Sequence, residues 1–344
     1  MLFAASLALP SAAAPMRYAA MMKTLKAADA SGNVRVARIG TSVNGRAIPM
    51  AVIGKADAPV RVLAICRQHG NEPISTQAAM NLIGRAAHAD AALRRALSGV
   101  LLLVIPMANP DGAERNRRVN ARRVDLNRDW DRPSQPETKA VERIFHALRP
   151  QVVLDEHEWT SEDHIGTNSL ECATPGALGH AVSLGALQAA RRESVSLRTF
   201  LTRPGCDMRL AHRHFGTNGA AAFLLETTPD QPMAGRLALY ERLTARIGRL
   251  SVNDAPEVDA PESAAFLAPM FGRPAAAKTA RTPIPYSALA VSAATLILVL
   301  LLGRPRHRKP VAAPPSTQRV PLSEVTELSA RLERRRALAD ARSS

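Results

Sequence analysis

The chain has 344 residues, roughly two domains' worth at ~150 residues each; 46% are apolar, 22% charged and only 3% aromatic. That balance excludes a fibrous or disordered chain and implies an aliphatic core. The formal net charge of +15 admits nucleic acid or an anionic membrane as partner, but ten Lys/Arg against four Asp/Glu between Arg304 and Ser344 place +6 in a short tail, and no zinc-finger spacing, RNA-binding aromatic-basic signature or basic-leucine pattern accompanies it, so nucleic acid is not expected.

Residues 1–14 carry no charge and run from the apolar Leu2–Leu9 through Pro10 into Ser11-Ala12-Ala13-Ala14, which reads as a signal peptide with a small-residue cleavage site. Residues 15–252 are the expected exported domain. Tyr18, Met21, Met22 and Leu25 recur at helical spacing up to Ser31-Gly32-Asn33. Val34 to Ile39 and Ala47 to Ile53 are strand-like, with Asn44-Gly45 between them as a hairpin turn. Strand and helix patterns then alternate: strand 60–66, helix 74–89, strand 100–107, helix 135–148, strand 151–155, helix 178–192, strand 220–225, helix 233–250. Uninterrupted apolar strands alternating with helices predict an α/β layer structure. Cys66 falls in a strand-like apolar run and is expected as a buried thiol. Three cysteines allow at most one disulfide, with Cys172 and Cys206 as the candidate pair.

Residues 253–283 turn to Ala, Pro, Asp and Glu and read as a linker. Between Arg281 and Arg304 lie 22 uncharged residues, which at ~1.5 Å per residue make ~33 Å of helix against a bilayer core of ~30 Å. A transmembrane helix is therefore expected at 284–303. Arg304, Arg306, Arg308 and Lys309 follow it directly and place the basic tail, 304–344, in the cytoplasm, with the domain on the outer face.

The chemistry-bearing residues cluster where apolar strands end. Arg67-Gln68-His69-Gly70-Asn71-Glu72-Pro73 follows Cys66, Asn109-Pro110-Asp111-Gly112 follows the 100–107 strand, Asp155-Glu156-His157-Glu158 follows Leu154, and Glu226-Thr227 follows Leu225. In open α/β sheets ligands gather outside the carboxyl ends of strands, so all four clusters are expected at one site. His69 and Glu72, three apart on a turn, can aim an imidazole nitrogen and a carboxylate at the same ion; His157 is the best third donor. Two imidazoles and one carboxylate suit a single zinc ion per chain and leave a position for water. Glu226 is the candidate general base and acid, with Glu156 or Glu158 next in line. Arg115 to Arg132 holds seven arginines, a residue suited to carboxylate recognition and to stabilising an oxyanion.

These residues, with Arg118-x-Asn120-Ala121-x-x-Val124-Asp125-Leu126-Asn127-Arg128-Asp129-Trp130 and Asp155-x-His157, resemble the zinc carboxypeptidase family, the carboxypeptidase A/B-like peptidases, over about Met16 to Leu250. The resemblance implies a mixed, largely parallel central sheet with helices on both faces. It implies His69, Glu72 and His157 as zinc ligands, Glu226 as general base and acid, and Arg118 as the group polarising the scissile carbonyl. Asn127 and Arg128 would clamp the terminal carboxylate of a peptide substrate, and Asp125 would hold the tautomer of a ligand histidine.

Two departures from the family pattern stand out. Arg123 occupies a position where glycine is common, so that turn is expected to take another shape. No tyrosine lies between Tyr18 and Tyr240, and His212-Arg213-His214 occupies the stretch before Glu226. The leading expectation is a membrane-tethered zinc carboxypeptidase acting on a peptide or isopeptide bond, with cell-wall peptides suggested by location. The alternatives are a zinc deacylase resembling succinylglutamate desuccinylase or aspartoacylase, and a catalytically silent peptide-binding protein.

Overall fold

Four strands, buried along their whole length, form the parallel centre of one sheet: β3 (Val60–Cys66), β4 (Val100–Ile105), β5 (Val152–Glu158) and β8 (Ala221–Thr227). The computed structural model describes residues 15–159, 168–173, 197–201 and 207–251. The sheet is completed by the antiparallel hairpin β1 (Val34–Thr41) and β2 (Ala47–Ile53), by β6 (Asn168–Ala173), antiparallel to β8, and by β7 (Leu197–Leu201), parallel to β6. Strand order is β1-β2-β4-β3-β5-β8-β6-β7. The expected α/β fold with a mixed, centrally parallel sheet is present.

Helices cover both faces, which is why the central strands show no polar alternation. On one face α1 (Tyr18–Ala30), α2 (Ile74–Ala87), α3 (Ala91–Ala96) and α7 (Met233–Ser251) bury Val62, Ala64 and Cys66 of β3 with Val152 and Leu154 of β5. On the other, α5 (Pro136–Leu148) and α6 (Ala211–Thr217) bury Leu63, Ile65 and Val153 with Trp130 and Phe215. A short helix, α4 (Pro110–Glu114), follows β4. Helix α5 shows the local logic: Pro136 starts it, Val141, Ile144, Phe145 and Leu148 line its buried stripe, and Arg149 ends it in a left-handed conformation (φ 43) just before Pro150.

Successive strand residues point to opposite faces. On β5 this sends Asp155 and His157 toward the α5/α6 side, and Glu156 and Glu158 toward α2 and α7.

β5 and β8 both run beyond their apolar segments, to Glu158 and Thr227, because the parallel ladder continues through the pairs His157–Glu226 and Glu158–Thr227. His157 and Glu226 therefore stand on strands rather than after them. The strand β6 and the short helices α3 and α6 carry too little periodicity to be read from sequence, and β6 owes its pairing to β8, more than fifty residues away.

The chain divides into two units, Met1–Ala277 and Lys278–Ser344, and every described residue lies in the first. The expected signal peptide 1–14, helix 178–192, Cys206, linker 253–283, membrane helix 284–303 and tail 304–344 lie outside the described residues. Within them, no helix is long and apolar enough to cross a membrane. Cys66 and Cys172 are buried.

Candidate metal centre

His69 and Glu72 sit on the turn between β3 and α2, and the pleat of β5 brings His157 to them from 88 residues away. Nδ1 of His69 lies 2.6 Å from Oε1 of Glu72, Nδ1 of His157 lies 2.7 Å from Oε2 of the same carboxylate, and the two Nδ1 atoms are 3.1 Å apart. All three residues are buried. The turn can hold this shape because residue 70 is glycine: a Cβ there would overlap the backbone of Gly112 and Ala113, which pack directly over it. Asn109 stitches the same layers together, accepting from Gly112 N (2.9 Å) and donating to the Gln68 carbonyl (3.0 Å).

Each histidine turns its other nitrogen to a carboxylate. Nε2 of His69 is 3.0 Å from Oδ1 of Asp125, and Nε2 of His157 is 2.8 Å from Oδ1 of Asp155. With the Nε2 proton donated outward, the Nδ1 lone pair of each ring is left for an ion. Two imidazole nitrogens and one carboxylate, all within 4.8 Å of one another, are a donor set that zinc accepts in catalytic sites. The residues present therefore fit the metal.

Charge reinforces the arrangement. Burial alone would raise the pKa of Glu72, yet the two histidines outweigh it and hold the carboxyl well below the usual range. Burial also works against a charged His157, but Asp155 and Glu72 raise it well above an ordinary imidazole. Asp125 likewise overcomes its desolvation, through His69, Arg118 and Arg128, and lies far below the ordinary aspartate value.

The other expected site residues divide. Arg118 reaches the centre: its Nε donates to Oδ2 of Asp125 (2.9 Å), its Nη1 is 3.6 Å from Glu72, and its side chain keeps 40% exposure. Desolvation lowers its basicity, but Asp125, Glu72 and Glu226 together raise it. Glu226 is buried level with His157 on the neighbouring strand. Arg128 donates from Nη1 to the Asn127 carbonyl (2.8 Å). Asn127 is buried, its Oδ1 accepting from Ala211 N (2.9 Å) and its Nδ2 lying 3.2 Å from Nε2 of His157. These contacts tie Asn127 to the ring of His157 and to the first residue of α6.

Glu156 and Glu158, the reserve candidates for the base, face away. Glu156 accepts from Cys66 Sγ (3.3 Å) and Thr244 Oγ1 (3.1 Å), and its burial pushes it up to about 7. Glu158 accepts from Ile74 N (3.0 Å) and is paired with Arg236. Asp111 is also spent elsewhere, on Arg46 and on Asn44 N (2.9 Å) of the first hairpin. The turn at Arg123 corrects an expectation: it keeps the left-handed form that glycine favours (φ 61), fixed by Asn120, whose Oδ1 accepts from Arg122 N and Val124 N at 3.0 Å each.

Sequence reasoning gave Asp155 no duty of its own. The signal was available in the Asp-x-His spacing, which on a strand puts both side chains on one face. Gln68 was missed for a different reason: it joins Trp130 Nε1 (2.8 Å) to the Asp155 carboxylate, partners that no spacing predicts.

Comparison with known proteins agrees with this geometry. The family profile described as zinc carboxypeptidase matches residues 18–161. Carboxypeptidase 2 of Trichophyton tonsurans is 27% identical over 178 residues, 50% of this chain and 33% of that protein. The chain spans about a third of the length of the curated relatives it matches. A metallo-carboxypeptidase from Burkholderia cenocepacia superposes with a TM-score of 0.62 at 21% identity, and one from Pseudomonas aeruginosa with 0.59 at 22%, each over 70% of both chains; at such identities the likeness is one of fold. The profile match over residues 18–161 takes in the converged His69, Glu72 and His157, a zinc site typical of the zinc carboxypeptidases to which this part of the chain is similar.

Proposed function

We propose that the chain is a zinc metallocarboxypeptidase that hydrolyses a peptide or isopeptide bond next to a free carboxylate. It works at the outer face of a membrane, tethered by a helix at 284–303 with residues 304–344 in the cytoplasm, and its substrates are peptides, cell-wall peptides among them. The observation that carries the catalytic part is the convergence of His69, Glu72 and His157 beside Glu226 on the adjacent strand. The tether is supported by the uncharged run before Arg304 and the basic residues after it.

A zinc ion held by the three donors supplies polarisation of a carbonyl oxygen and of a water molecule. The remaining work falls to side chains. Glu226 takes a proton from the attacking water and delivers it to the departing nitrogen. Arg118, anchored through Nε to Asp125 and partly exposed, presents guanidinium N–H groups to the oxygen of the scissile carbonyl. Arg128, rooted on the Asn127 carbonyl, pairs its guanidinium fork with the terminal carboxylate through two parallel bonds.

The test is one cleavable peptide in two versions, with a free and with an amidated C-terminus. A charge-assisted hydrogen bond to a carboxylate contributes about 1.5–3 kcal/mol, so the amidated form should lose roughly ten-fold to a hundred-fold in kcat/KM. Equal rates on both would replace the carboxypeptidase reading with that of an endo-acting amidase.

A further inference from the structure

Four buried side-chain atoms among the described residues have no hydrogen-bond partner, and three of them belong to two facing side chains: Oδ2 of Asp155, and Nδ1 and Nε2 of His212. His212 is wholly buried in the first turn of α6. Its Nδ1 faces Oδ2 of Asp155 at 4.0 Å, and its Nε2 faces Oε1 of Glu171, on β6, at 3.3 Å. Glu171 is itself held by Arg213, whose Nε and Nη2 donate to Oε1 at 3.1 and 3.0 Å. A buried imidazole making no hydrogen bond in so polar a setting calls for an explanation.

The explanation lies on the far side of the Asp155 carboxylate. Its Oδ1 meets Nε2 of His157 and the amide of Gln68, while its Oδ2 is directed at His212. A carboxylate is planar, so whatever fixes Oδ2 also fixes the direction from which Oδ1 meets His157. On each side of the His212 ring the facing atom is a carboxylate oxygen, an acceptor, and an imidazole N–H is a donor. The helix bearing the ring is pinned to the same place, since Ala211 N donates to Asn127, whose amide lies against His157.

We propose that His212 is a positioning residue of the metal centre: it orients the Asp155 carboxylate and, through it, the ring of His157, in a chain that runs Glu171, His212, Asp155, His157. This rests on the zinc reading of the site. His212 touches neither the ion nor the substrate, so its contribution appears first in how the site holds metal.

The test is made on the full chain with zinc and cobalt(II). His212→Phe, which fills the space without a donor, should weaken zinc in chelator competition about tenfold, the lower end of what partners of a ligand contribute. It should also shift the visible bands of the cobalt protein. His212→Gln, which keeps a donor, should restore most of the affinity. In an Asp155→Asn background the Phe substitution should have no further effect, because the carboxylate it acts through is gone. A folded His212→Phe protein with wild-type zinc affinity and cobalt spectrum overturns the proposal, as does an equal loss in both backgrounds. His157→Ala separates the two layers of the argument. Wild type binding zinc no better than His157→Ala overturns the zinc reading and this inference together; wild type binding it better while His212→Phe matches wild type overturns this inference alone. Should His212→Phe not fold, the imidazole nitrogen resonances of the wild type decide: those of His212 move on zinc loading if the chain couples them, and their constancy overturns it.

Discussion

Asp155 and His157 occupy alternate positions of one strand, and Oδ1 of the first lies 2.8 Å from Nε2 of the second. The pleat alone puts both on one face, so the strand supplies a metal ligand and its orienting carboxylate with no loop in between. Removing such a partner costs about 10–100-fold in metal affinity or activity. Asp155→Ala should therefore stay folded and bind zinc that much more weakly, measured by competition with a chromogenic chelator. Unchanged affinity would transfer the orienting duty to Asn127.

Glu226 stands level with His157 on β8 and is not among the converged donors. Glu226→Gln should keep zinc stoichiometry and fold while turnover falls by about 10²-fold to 10⁴-fold, the range for loss of a general acid-base. Metal content and kcat on one peptide decide it. Near-normal turnover would move the base elsewhere, and Glu156 and Glu158 would not be the heirs, since both point to the opposite face.

Topology is open to a direct trial. Protease added to intact cells or spheroplasts should remove the domain and spare the tail after Arg304, because basic residues flank the proposed span on that side. The reverse protection pattern would refute the tether and the signal peptide together.

Arg123 adopts φ 61 in a turn held by Asn120. The left-handed conformation costs a non-glycine residue about 1–2 kcal/mol, and glycine adds about 0.4–1 kcal/mol of unfolded-chain entropy. Arg123→Gly should thus gain roughly 0.5–1 kcal/mol, read as a higher urea midpoint at unchanged slope. A lower midpoint would mean that the Arg123 side chain itself stabilises the loop.

Glu142 on α5 accepts from His214 of α6 (3.0 Å) and His146 of its own helix (2.9 Å). Burial raises its pKa, but the two histidines prevail and the net shift is downward. A depressed carboxylate contributes stability that is present above its unfolded value of about 4.3 and disappears as pH falls through the folded one. Glu142→Gln should be less stable than wild type near pH 6, by about 0.2–1 kcal/mol, and equal to it in strong acid. Urea unfolding at the two pH values provides the check. A difference that persists in acid would point to packing rather than charge.

The donors were legible without coordinates because ligand chemistry belongs to side-chain type and short spacing: His69 and Glu72 are three apart on a turn, and His157 stands on a strand that announces itself by Val152-Val153-Leu154. The parallel centre was legible for a similar reason, since strands buried on both faces have no polar positions to hide them. What the sequence determined by itself was therefore the α/β class, the zinc chemistry and the residues that supply it.

The division of labour among the acidic residues was decided only by tertiary structure. Asp155, Glu156 and Glu158 are equivalent as letters; the pleat of β5 gives the first to His157 and turns the other two toward Cys66, Thr244, Ile74 and Arg236. Asn127 went to His157 and Ala211, and Arg123 into a left-handed turn. His212 reached Asp155 because α6 is carried there by Asn127 and the β6–β8 pairing. Periodicity shows which face a residue takes within its own element, whereas contacts across strands and between distant loops depend on register and packing, which no local spacing encodes.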